Sequence, residues 1–180
     1  MRFEDILHNG RLWAVVYDGD TQDILTKTFS HWLDPGFLED FFCRNSKDLE
    51  TYFHITDLDQ AIYDTIADAV SLSCLILDIR PDANLDLLFR LLENQRIREM
   101  LLSREKAKGK RMTTHGSWLR LYAIKLEKST YLITGGAIKL THYMAEREHT
   151  LNELKKMEMV RNYLLDNGII DVDGIKDEIL

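Results

Sequence analysis

The sequence predicts an α+β domain: a small antiparallel sheet packed against several helices, without the regular strand–helix alternation of an α/β sheet. Three observations lead there. Trp118 to Leu126 and Thr130 to Thr134 are aromatic and β-branched runs separated by Glu127-Lys128-Ser129, a hairpin-loop length. Helix starts are written at Asp34-Pro35, Thr56-Asp-Leu-Asp59 and Thr150-Leu-Asn-Glu153. Elements of one kind also come in blocks: an early strand, several helices, a basic connector, strands, then a helix.

Each element has its own signal. Arg11-Leu-Trp-Ala-Val-Val-Tyr17 is a strand closed by Asp18-Gly19-Asp20 and expected to join the sheet. Behind Asp34-Pro35, the residues Phe37, Leu38, Phe41 and Phe42 make one buried helical face. Ser46 caps a short helix toward Phe53. The helix expected over 57–79 carries Ile62, Ile66, Ala69, Val70 and Ser73 at helical spacing and stops at Arg80-Pro81. Asn84 to Leu92 reads as a further helical piece. Residues 103–114 are poor in apolar anchors and read as an exposed, mobile basic connector. After the hairpin, Gly135-Gly136 predicts either a positive φ or a close backbone approach. Thr150 opens the last long helix, which Gly168 closes. Ile169 to Leu180 is an acidic tail. Leu119, Leu121 and Ala123 form a uniformly apolar strand face, on which helices 57–79 and 150–166 are expected to pack.

At 180 residues with 45% hydrophobic content and two prolines, the chain reads as one domain with a real core. The N-terminus has acids where a signal peptide has an apolar core. The longest apolar stretch, Ala67 to Ile79, is interrupted by Asp68, Ser71, Ser73 and Asp78. Both point to a soluble cytoplasmic protein without a membrane partner. Cys43 and Cys74 lie among apolar residues with no motif spacing and are expected to be buried free thiols.

Net charge is −7, yet the window from Arg96 to Arg120 is +6 and the remainder −13. Lys108, Lys110 and Arg111 in that window are candidate phosphate contacts; a solvated or internally paired charge run is the alternative. There is no phosphate loop, dinucleotide fingerprint, HExxH or nucleophile elbow, and the six histidines have no paired ligand spacing. No metal and no cofactor are expected.

Chemistry is concentrated around the hairpin and the last helix. Trp118, Arg120 and Tyr122 share a strand face that, if open, can stack a base and hold a phosphate. The alternative packs both aromatics under a loop, with Arg120 paired to an acid of the C-terminal tail. Lys139 and Arg147 add cations, and His142 and His149 are proton-transfer candidates. Metal-independent RNA cleavage needs a base for the 2′-OH, cations on the phosphate and an acid for the leaving oxygen. Arg120, Lys139, His142 and His149 are the candidate catalytic set; Trp118, Tyr122 and Arg147 are candidate RNA contacts.

The strand Trp-Leu-Arg-Leu-Tyr-Ala-Ile, the return Tyr-Leu-Ile-Thr-Gly-Gly-Ala-Ile-Lys-Leu-Thr and the Thr-x-x-Glu helix start together resemble the RelE/ParE superfamily of type II toxin–antitoxin toxins, in its HigB-like or phage-derived branch. There, a strand carrying arginine is followed by an apolar strand, a lysine near its end and a helix covering the sheet. The resemblance implies a toxin-like core over residues 87–165, with residues 34–79 as an N-terminal helical elaboration and 169–180 as an acidic tail. Members cut mRNA on the ribosome or, in the ParE branch, poison gyrase, and a cognate antitoxin neutralises them. It therefore implies a toxin-like ribonuclease, with an antitoxin protein and mRNA or the ribosome as partners. The acidic balance favours the alternative, a non-enzymatic intracellular interaction or accessory protein that keeps a toxin-like sheet.

Overall fold

A computed structural model describes residues 1–80, 82–91, 104–108 and 115–179. Most of the window expected to be a mobile basic connector, with Lys110 and Arg111, lies outside them. Its residues 104–108, however, form a strand.

The fold is α+β, as the sequence predicts. Among the described residues six strands make a single sheet: β1 (Arg2–Asp5), β2 (Leu12–Val16), β3 (Phe89–Leu91), β4 (Arg104–Lys108), β5 (Leu119–Glu127) and β6 (Thr130–Ile138). Their spatial order is β1-β2-β6-β5-β4-β3. The sheet is mixed, not purely antiparallel, because β2 runs parallel to β6, with Leu12 opposite Tyr131 and Ala14 opposite Ile133. The helices are α1 (Ile24–Trp32), α2 (Pro35–Arg44), α3 (Ser46–Phe53), α4 (Leu58–Leu77), α5 (Glu148–Asp166) and α6 (Val172–Ile179).

Local chemistry explains most boundaries. Asp34 caps α2 by accepting the Gly36 and Phe37 N–H groups, with Pro35 at the first helical position. Asp23 does the same for α1 through Leu25 and Thr26. At α4 the cap is Asp57, not Thr56, and it accepts from Gln60 N–H. The hairpin loop between β5 and β6 is tightened to Lys128-Ser129, where Ser129 has φ 58°. Two side chains knit the loop to the chain before β3: Ser129 Oγ accepts the Leu85 N–H at 2.6 Å, and Asp86 accepts the Ser129 N–H at 3.1 Å. Asp86 also accepts Tyr131 Oη at 2.6 Å and Lys125 Nζ at 2.9 Å. Burial pushes its carboxyl up, but these donors outweigh that and hold it below its ordinary value. The helix expected at Asn84 to Leu92 is instead a 3₁₀ turn, Leu85–Leu87, followed by β3.

The paired glycines show how the layers are arranged. Successive strand residues point to opposite faces. A Cβ on Gly135 would overlap the Glu153 carboxylate of α5, and one on Gly136 would lie 2.6 Å from Thr28 and 3.0 Å from Trp32 of α1. Helices α1 and α5 therefore press on opposite faces of β6, and each needs its glycine; neither glycine has positive φ. The close approach expected of this pair is present. Helices α2 and α4 pack on α1, and α4 reaches β5. The expectation that 57–79 and 150–166 share the Leu119–Leu121–Ala123 face is corrected: α5 covers the other face, where Tyr122, Ala137 and Met157 cluster.

Among the described residues α4 is the one helix long and apolar enough to cross a membrane by length and composition. Here it is a core helix, with Ala61, Leu72 and Ile76 fully buried and Asp64 and Asp68 turned inward. The tail is no loose end, because Ile169, Val172 and Ile175 are buried and α6 packs against β1. Cys43 and Cys74 are free thiols, but both are exposed on the outer sides of α2 and α4, contrary to the expected burial.

Candidate functional site

Strand β4 reads Arg-Glu-Lys-Ala-Lys, and its register settles what that alternation does. Arg104 lies opposite Ile124, Lys106 opposite Tyr122 and Lys108 opposite Arg120. Ala107, opposite Leu121, belongs to the helix-covered core. Cross-strand partners share a face. The cationic positions of β4 therefore stand beside Arg120 and Tyr122 on the face that α5 covers, and Arg104 pairs with Glu158 of that helix at 3.6 Å. The Lys108 side chain itself lies outside the description.

Arg120 is half-buried. Its Nη1 donates to the Ser117 and Leu119 carbonyls, each at 2.7 Å. Among the described residues no carboxylate lies within ion-pair distance of it, and Nε and Nη2 donate to nothing. Burial lowers the Arg120 pKa, and the nearby Tyr122 hydroxyl works the other way. Lys106 is lowered too, first by burial and then by the neighbouring Arg120. Two like charges are thus held together on a partly dry face.

Beneath them lie two polar atoms without a hydrogen bond. Tyr122 is 1% exposed and Glu153 is 6% exposed; the Tyr122 hydroxyl and Glu153 Oε2 are both unpartnered. Burial raises Tyr122, with Arg120 lowering it and Glu153 raising it further. Burial also raises Glu153, against the pull of Lys156, whose Nζ donates to Oε1 at 2.7 Å, and of the Gly136 N–H. Tyr17 flanks the group, donating to the Thr134 carbonyl at 2.6 Å. It is raised by burial, then by Glu153 and Asp20.

The structure brings some of the sequence-derived candidates together and separates others. Main-chain contacts put Arg120, Lys139 and His149 at the same end of the β5–β6 hairpin, while the His149 ring packs edge-on against Phe41 of α2 at 5.2 Å. Arg120 pairs with Ala137, Lys139 N–H donates to the Trp118 carbonyl at 2.8 Å, and His149 Nε2 bonds the Ile138 carbonyl at 2.9 Å. A carbonyl only accepts, so Nε2 of the neutral ring carries the hydrogen and Nδ1 the lone pair. His142 is exposed, edge-on to Tyr52 at 4.9 Å, and its carbonyl accepts Lys139 Nζ. Arg147 forks onto Asp48 of α3, with Nε donating to Oδ2 at 2.6 Å and Nη2 to Oδ1. This fixes the chain ahead of α5 to α3.

Trp118 and Tyr122 do not form an open stacking face. Trp118 is fully buried: its Nε1 donates to Thr65 Oγ1 at 2.9 Å and His115 stacks on it at 4.1 Å. Both ring nitrogens of His115 face acceptors, Asp64 Oδ2 at 3.1 Å and the Gly116 carbonyl at 3.0 Å. This histidine straps the chain before β5 to α4. The aromatics thus pack inside, but under helices and not under a loop, and among the described residues no acid pairs with Arg120. Among the described residues no group of histidine, cysteine or acidic side chains is placed to hold a metal ion.

The sequence reading took Arg104 and Lys106 only as part of the basic window and Glu153 only as a cap, and singled out none of them as a site residue. The first two had a signal, because their alternation with Ala107 is a strand pattern. Glu153 was hidden behind an apparent capping box. In the structure α5 begins at Glu148, and Thr150 Oγ1 donates to the Met144 and Arg147 carbonyls. Glu153 is thereby released from capping and turned onto the sheet. No family model matches the chain, and no curated protein or solved structure matches it either.

Proposed function

We propose that this chain is a toxin-like component of a type II toxin–antitoxin module that engages RNA in the cytoplasm through phosphate-directed donors on the α5 side of its sheet. One observation carries the reading. The Arg120 guanidinium, whose Nε and Nη2 donate to no described residue, stands with Lys106 over the buried Tyr122 hydroxyl on one partly desolvated face. Such donors suit a phosphate, which accepts bidentate guanidinium bonds and offsets the repulsion between two cations. The order of parts also supports it: a strand bearing Arg120, an apolar strand, Lys139 near its end and a covering helix are those of the RelE/ParE likeness. An antitoxin protein is the partner proposed, and mRNA, free or on the ribosome, the target.

Engagement comes before cutting in this proposal. Metal-independent cleavage would use Arg120 on the phosphate and His149 Nδ1 as the base. The Arg147–Asp48 fork and the buried aromatics favour the second reading, a protein that binds without catalysis. The test uses the purified chain and a labelled single-stranded oligoribonucleotide of about 20 nucleotides, followed by anisotropy at low and moderate salt. Binding should weaken as salt rises. Arg120→Ala should weaken it about 10- to 100-fold, the range for a lost charge-assisted contact, and should relieve growth arrest on expression. Cleavage in the presence of chelator that disappears in His149→Ala would select the catalytic form. No RNA binding at low salt, together with harmless expression of folded protein, would remove the proposal.

A further inference from the structure

Among the described residues the outer side of α4 takes no part in the core or in the RNA face, yet it carries apolar side chains from Tyr63 to Leu77. Tyr63 is 69% exposed, Val70 49% and Leu77 55%; Cys74 is exposed as well, and Ala67 lies half-covered between them. Residues 63, 67, 70, 74 and 77 recur at intervals of four, three, four and three, which is the seam of a two-helix coiled coil. Exposed apolar side chains scattered singly need no explanation, but a continuous stripe of this kind marks a contact. From Gln60 to Leu77 the charged residues are Asp64 and Asp68, and both are buried on the inner side. Between Tyr63 and Leu77 the outer face therefore offers no charge with which to select an acidic or basic partner.

We infer that this face is a symmetric interface between two copies of the chain, paired through antiparallel α4 helices with Val70 on the twofold axis. The spacing is self-complementary about that residue. Tyr63 lies seven positions before Val70 and Leu77 seven after, so Tyr63 of each copy meets Leu77 of the second copy. The small residues Ala67 and Cys74 fall between these contacts and let the helices approach to about 8 Å. The ends match in charge. Exposed Arg80, just past the helix, comes beside exposed Asp59 in the first turn of the second copy. Antiparallel macrodipoles add to this. A closed twofold pairing satisfies the stripe completely and leaves no free end to propagate. One helix pair of about 30 Å buries less than the roughly 1,600 Å² of a standard interface, so the dimer should be concentration-dependent.

The test requires no RNA. Light scattering or sedimentation of the full chain from about 1 to 200 μM should show mass rising from monomer toward dimer. Val70→Asp should weaken association at least about tenfold, because it buries an unpaired charge in the seam. Half-exposed in the monomer, Val70 can change without unfolding the chain, and circular dichroism and Tm serve as the control. Geometry gives a second readout. In a Cys43→Ser, Cys74→Ser background, Val70→Cys lies on the axis and should form an intermolecular disulfide under mild oxidation. Native Cys74 lies eight helical residues, about 12 Å, from its symmetry mate and should not. A monomer at every concentration overturns the inference. So does a dimer insensitive to Val70→Asp, or a monomer whose α4 face binds neutral phosphatidylcholine vesicles instead.

Discussion

Glu153 shows how one residue can be misread when its neighbours supply a familiar pattern. Thr150-x-x-Glu153 has the spacing of a capping box, and the sequence offers no sign that the helix begins two residues earlier. What moves it is tertiary: the Arg147–Asp48 fork and the Thr150 hydroxyl bonds fix the entry to α5. The Glu153 carboxyl is then buried with its pKa raised, chiefly by burial. A carboxyl whose folded pKa is raised binds more protons in the folded state than in the unfolded one across that interval. Stability is therefore greatest below the ordinary glutamate value and declines as pH rises toward the raised one, remaining lower above it. Glu153→Gln should remove this contribution. The difference in unfolding free energy between variant and wild type, followed by urea denaturation across pH, should shift in favour of the variant as pH rises from about 4 to neutrality. A constant difference would mean that Glu153 titrates alike in both states. At this scale Arg120 was legible as the cation between Trp118 and Tyr122 on one strand face. The burial of Tyr122 and Trp118 was not, because strand parity tells which residues share a face, not which helix covers it.

Among the elements, β6 has the most constrained sequence. Its two glycines serve different helices, so their replacement should not cost the same. A Cβ at Gly136 meets Thr28, the Trp32 ring and the Arg120 carbonyl at 3.1 Å, so a helix, an indole and a neighbouring backbone would all have to shift. At Gly135 the obstacle is the end of one side chain, Glu153. Gly136→Ala is expected to cost about 2–3 kcal/mol, within the range of overpacking, or roughly 4–12 °C in Tm. Gly135→Ala should cost less, and most of its loss should be recovered in the Gly135→Ala, Glu153→Ala double variant. Thermal unfolding of the set checks the ranking, and equal losses at the two sites would contradict the two-sided packing. The glycine pair was visible in the sequence as a close approach. Its two-sidedness was not, since α1 was missed: Asp23 is a good cap, but Ile24 to Trp32 mixes polar and apolar residues with no long apolar run.

For the whole molecule, the block order of elements was enough to predict α+β. The mixed sheet was not readable, because nothing in Leu12–Val16 says which strand it will join. Fully buried, that run has no alternation to assign a face or an edge. The short strands β1, β3 and β4 were missed for a related reason. They are three to five residues long and lean on neighbours for their pairing.

The parallel pairing of β2 with β6 also sets a timetable. Leu12 finds Tyr131, 119 positions along the chain, and β2 has no other inner neighbour. Until residues near 133 are available, β1 and β2 can form only a hairpin of their own, and a lone two-stranded hairpin is marginal in water. Helices α1 to α4 can gather early through local contacts, whereas the sheet closes only after a long loop has been drawn in. Amide protection in β1 and β2 should accordingly appear after that in the β5–β6 hairpin when refolding is followed by pulsed hydrogen exchange. During synthesis the same geometry leaves Leu12 to Val16, a wholly apolar run, waiting for the chain's last strand to leave the ribosome. That interval is when a partner or a chaperone would have most to protect.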